Sequence, residues 1–119
     1  MTAPMNSRYD IYALPSGPLV ELAARLQELL GLPLDERDSG YYAGTYYLYK
    51  QAYGRELRLY ENHDRTRGTV VRERWREHAL ILEVSDLDDM DGIRRKLMDG
   101  LPGTLLLSSR IVPDAKETS

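Results

Sequence analysis

Two imidazoles could do acid–base or metal chemistry in this chain: His63 in "ENHDR", and His78 after "WRE". They fit no H-E-x-x-H spacing, and cysteine is absent, so no thiolate is available for a nucleophile or a zinc set. His78 reads as a packed or edge residue opening an apolar run. The acidic stretch "SDLDDMDG" has the outline of a calcium loop. A frame begun at Asp86 nevertheless puts Met90 where an oxygen ligand belongs, and no glutamate closes it. Helix-end physics accounts for these residues better. Asp86 caps a helix, with Asp88, Asp89 and Asp91 in the first turn, where the macrodipole favours negative charge. Ser108 and Ser109 have no histidine near them in sequence, and no G-x-S-x-G, Walker or dinucleotide pattern occurs. The expectation is no catalytic residue, no metal and no cofactor.

The other chemistry on offer is recognition. Seven of nine tyrosines lie between Tyr41 and Tyr60, and phenylalanine is absent. Tyrosine gives a large rigid apolar area with a hydroxyl tip that tolerates water, which suits a half-buried contact surface. It also has high strand propensity and makes good cross-strand pairs, which is the purely structural account. Arg72, Arg74 and Arg76 share one face if their segment is extended. With the tyrosines they could form a nucleic-acid stacking platform. The net charge of −3 and the lack of an aromatic ribonucleoprotein signature argue against that, and a charged edge strand accounts for them.

These residues need a frame. "SRYDIYAL" alternates as a strand. Pro15 to Pro18 breaks it and starts a helix capped by Ser16 or Gly17, with leucines at helical spacing to a Gly31 stop. "LPLDERDSG" reads as a polar loop. "YYAGTYYLYK" and "RELRLYE" read as a hairpin joined at Gln51–Gly54. "TVVRERWRE" is a strand or an irregular edge, and "HALILEV" a buried central strand. A second helix follows, with Met90, Ile93, Leu97 and Met98 inward, then the strand "TLLLSSRIV". The last two strands bracket a helix and should run parallel. The fold class is α+β: a two-layer sandwich with a mixed four- to five-stranded sheet and two helices on one face, a ferredoxin-like variant. Residues 7–112 form the single domain, between a disordered start at 1–6 and a flexible tail at 113–119. Parity assigns Tyr42, Tyr46 and Leu48 to the core side, and leaves Tyr41, Tyr47 and Tyr49 on the open face.

With 119 residues the chain suits one domain. The polar start "MTAPMNSRYD" argues against a signal peptide, and no apolar run approaches a membrane span, so a cytoplasmic protein is expected. In its pieces the chain resembles small immunity proteins of bacterial polymorphic-toxin and contact-dependent inhibition systems. The resemblance is carried by Gly44-Thr45-Tyr46-Tyr47, "LRLYENHD" at 57–64, and Trp75 shortly before "HALILEV". It implies a protein that binds and blocks one cognate toxin, without cofactor or turnover. A basic toxin groove would be steered by the acidic loop residues Asp35, Glu36 and Asp38 or by the Asp86–Asp91 turn, with Tyr41, Tyr47 and Tyr49 as anchors. The alternatives are a ferredoxin-like domain with a small-molecule pocket or an enzymatic site on its open face, and a homodimer formed through that face. No nucleic-acid or membrane partner is expected.

Overall fold

The computed structural model describes residues 6–113. The expected disordered start and flexible tail lie outside them, apart from Asn6 and Pro113, which belong to strands. The chain runs β1 (Asn6–Ala13), α1 (Leu19–Leu30), β2 (Asp35–Ser39), β3 (Gly44–Ala52), β4 (Arg55–Glu61), β5 (His63–Asp64), β6 (Thr69–Val70), β7 (Leu80–Ser85), α2 (Met90–Gly100) and β8 (Leu105–Pro113). Short 3-10 turns occupy Gly40–Tyr42 and Glu73–Trp75. The main sheet has six strands in the order β2-β3-β4-β7-β1-β8, and β5 pairs with β6 separately.

The α+β class holds, with two helices, but the sheet is larger than expected. "LPLDERDSG" contains strand β2, which zips onto β3 from Asp35 opposite Leu48 to Ser39 opposite Gly44. Its polar composition hid it: charged residues are poor strand formers in general but suit an edge. Nor is the sheet mixed at its described pairings, each of which is antiparallel. β7 and β8 do run in the same direction. β1 lies between them and pairs with both, so they are not neighbours.

Both helices cover one face. Leu22, Ala23, Leu26 and Leu30 of α1 and Met90, Ile93 and Leu97 of α2 share a core with Tyr12, Leu57, Leu59, Leu82 and Val84. Met98, expected inward, is exposed. α1 starts one or two residues later than its composition suggested. Pro18 is the capping residue, and its carbonyl accepts from Glu21 and Leu22 without any side-chain cap. Gly31 ends the helix as expected, in the left-handed conformation that glycine adopts without a Cβ penalty. At α2 the cap is Asp89, not Asp86: its carboxylate accepts from the Gly92 amide at 3.0 Å. Asp86 instead adopts φ +48 at the end of β7. There it exchanges two bonds with Arg8, its amide donating to the Arg8 carbonyl at 2.7 Å and its carboxylate accepting from the Arg8 amide at 3.1 Å.

Candidate functional site

The register of β3 decides where the tyrosines go. Tyr47 lies opposite Leu59, and Tyr49 opposite Leu57, while Leu48 lies opposite Arg58. Directly paired residues share a face, so the odd-numbered tyrosines join the leucines under the helices. This inverts the assignment made by parity. Tyr47 is only 7% exposed and Tyr49 is half-buried against the core. Leu48 misled the parity argument because it is buried on the opposite face, outside the main core.

Tyr41 and Tyr42 do not continue the strand. They sit in the 3-10 turn after β2, and Ala43 follows in the left-handed conformation. Tyr41 projects outward, 76% exposed. Tyr42 folds back over the face away from the helices. Its ring centroid lies 5.0 Å from that of Tyr46 and 5.1 Å from that of Tyr60, and the Arg58 guanidinium stacks 4.6 Å from it. Under this lid is an ionic network. Tyr60 donates to Glu83, and Arg72 reaches the same carboxylate at 2.6 Å. Arg58 pairs with Glu56 and approaches Glu83 at 4.0 Å. Burial, together with Glu83, pushes the Tyr60 phenol far above its ordinary range. Burial also works against the Arg72 charge, but Tyr60 and Glu83 outweigh it and hold the guanidinium protonated. In this arrangement each charge has a partner, and the network fixes the cover over the sheet.

The excursion from Asn62 to His78 supplies Arg72, and Asn62 holds that excursion in place. Asn62 is fully buried. Its amide nitrogen lies 2.9 Å from the Trp75 carbonyl and within 3.3 Å of those of Arg72 and His78, and its oxygen accepts from the Arg72 amide at 2.7 Å. The arginine segment is therefore a bonded loop with a 3-10 turn, not an extended edge strand. Sequence reasoning missed Glu83 and Asn62. A carboxylate inside the run "LILEV" was the available signal that β7 has a polar face.

Asp35, Glu36 and Asp38 stand exposed on β2, an edge of the sheet. Beside them α1 and β2 enclose a groove of about 320 Å3 lined by Val20, Ala24, Gln27, Leu34, Glu36 and Tyr47. The Tyr47 hydroxyl donates to Glu36 at 3.0 Å, tying the buried ring to the acidic rim. Val20, on the far wall, is 61% exposed. Tyr49 borders a separate cleft of about 180 Å3 with Leu32, Leu87, Ile93 and Lys96. Among the described residues no cluster of three potential metal ligands occurs, and no helix is long and apolar enough to cross a membrane. Compared with protein-family models, curated proteins and solved structures, the chain gives no match.

Proposed function

We infer that this chain is a non-enzymatic binding protein of the immunity type, which occludes the active surface of one cognate bacterial toxin in the cytoplasm. One observation carries the reading: an exposed acidic edge, Asp35, Glu36 and Asp38, lies against a partly apolar groove whose buried lining residues are Ala23 and Tyr47. Rim charge steers encounter with a basic partner, and an adjoining apolar recess takes an anchoring side chain. Tyr41 extends the same edge. Tyr47 contributes through its hydroxyl rather than its ring face. The strand order β8-β1-β7-β4, with α1 after β1 and α2 after β7, supports reading the fold as a ferredoxin-like plan enlarged by β2 and β3.

A homodimer through a flat tyrosine face has less to recommend it, because Tyr42 and Arg72 cover Tyr60 on that face. Co-expression with a toxin domain encoded beside this chain tests the proposal. Restored growth and a stable one-to-one complex are expected. Continued toxicity with no complex between the two folded proteins would refute it.

A further inference from the structure

The sheet face away from the helices is covered by Tyr42 and the Asn62–His78 excursion over β3, β4 and β7. Over β1 and β8 it is left open. There a groove of about 420 Å3 is lined by Ile11, Ser108 and Arg110 of the sheet and by Val71, Arg74 and Trp75 of the excursion. That volume lies within the ~300–1,000 Å3 of ligand clefts. Two of its arginines are held by rings rather than by acids. The Arg74 guanidinium lies 5.1 Å from the centroid of Trp75, and that of Arg110 lies 5.5 Å from the centroid of Tyr9. Among the described residues neither has a carboxylate within ion-pair distance. The groove's other charges are spoken for: Arg72 pairs with Glu83 at 2.6 Å, and Glu73 with Arg76 at 3.3 Å. In a chain of net charge −3, this groove therefore holds a local surplus of positive charge.

A guanidinium held over a ring rather than by an acid keeps its donors free to grip an oxyanion. Ser108 adds a hydroxyl, and Ile11 with Val71 offers apolar surface for the body of a ligand. We propose that this groove binds a small organic oxyanion, a phosphate or carboxylate head on an apolar or aromatic body, with Arg74 and Arg110 holding the head. The site is distinct from the acidic β2 edge, which lies at the opposite end of the strand order.

Phenyl phosphate, benzoate and inorganic phosphate are titrated into the full chain while backbone and arginine side-chain NMR signals are followed. Saturable shifts at Ser108, Arg110 and the Trp75 indole are expected with phenyl phosphate, benzoate or both. The stronger of the two identifies the head group, and inorganic phosphate binds more weakly because it lacks the apolar body. Arg74→Gln and Arg110→Gln should each weaken binding roughly tenfold, in keeping with a charged hydrogen bond. Arg110→Lys should recover only part of the loss. Arg25→Gln, on the outer side of α1, should bind as the parent does. Both arginines are exposed, so the variants should melt with the parent, and melting curves check this. The proposal is overturned if neither organic anion gives saturable shifts at millimolar concentration, or if Arg25→Gln weakens binding as much as Arg110→Gln. A short single-stranded RNA that binds the groove while both small anions fail would also overturn it.

Discussion

At the scale of single residues, the tyrosines divide by what their rings touch. Tyr47 packs against the leucine core, whereas Tyr46 lies in the thinner layer under Tyr42. Tyr47→Ser should cost about 3 kcal/mol in chemical unfolding, the scale for truncating a buried aromatic, and Tyr46→Ala distinctly less. The opposite order would mean that the register is shifted by one. Asp10 gives a second residue-scale test. It is fully buried, and its carboxylate accepts from the Ser109 hydroxyl at 2.6 Å, from Arg8 and from Arg94 at 3.0 Å. Burial opposes its ionisation most strongly, but Ser109, Arg8 and Arg94 together hold its carboxyl below the usual carboxylate range. A carboxylate depressed on folding stabilises the protein above its unfolded pKa of about 3.9. That contribution disappears as pH falls through the lower folded value. The melting temperature of the parent should therefore fall on acidification below about pH 4. Asp10→Asn should lose about 1.5–3 kcal/mol at neutral pH, because Arg94 loses its carboxylate and Arg8 is left with Asp91 alone. It should also show a flatter acid limb. An identical acid limb in parent and variant would remove Asp10 from the account.

At the scale of elements, α2 and the Asn62–His78 excursion carry the tests. Asp89→Ala should cost about 0.5–2 kcal/mol through loss of the α2 cap. Gly92→Ala should destabilise too, although alanine is normally the better helix former. A Cβ there would clash with the Asp89 carboxylate and push the cap away. Stabilisation by Gly92→Ala would contradict the cap geometry. Asn62→Ala should strip the excursion of its hub and raise hydrogen exchange at Arg72, whose amide bonds to the Asn62 side chain. Unchanged exchange there would show that the loop is held by other contacts. Much of this level was legible in the sequence. Apolar periodicity marked both helices, alternation marked β1, and a near-continuous apolar run marked β7. What stayed hidden was set by tertiary pairing. Asp35–Ser39 becomes a strand only because β3 offers it a ladder. Tyr41 and Tyr42 leave the strand because a 3-10 turn lets Tyr42 stack on Tyr60. The choice between Asp86 and Asp89 as cap could not be read from a run of acids, any of which suits a helix start.

At the scale of the whole molecule, the two ends of one sheet differ in net charge, although Arg37, paired with Asp35 at 3.9 Å, stands among the acids of β2. The β2 edge presents Asp35, Glu36 and Asp38, and the β8 edge presents Arg110 over Tyr9. The candidate partner residues were half legible. The acids were placed on the surface correctly, though on a strand rather than a loop. Of the three tyrosines only Tyr41 is exposed, because the face of a ring in β3 depends on a register that composition does not fix. In the function proposed above, the acidic β2 edge steers and seats a basic protein partner. The most direct test of that claim is the association rate with the cognate toxin, at low and at physiological salt, for the parent and for the triple variant Asp35→Lys, Glu36→Lys, Asp38→Lys. The variant should still fold, since all three side chains are exposed on an edge, with a modest loss of stability because Glu36→Lys removes the acceptor of the Tyr47 hydroxyl; melting curves check this. Its association rate at low salt should fall by about tenfold or more, and the parent's steep salt dependence should flatten or reverse. A triple variant that associates as fast as the parent at both salt concentrations would contradict the claim.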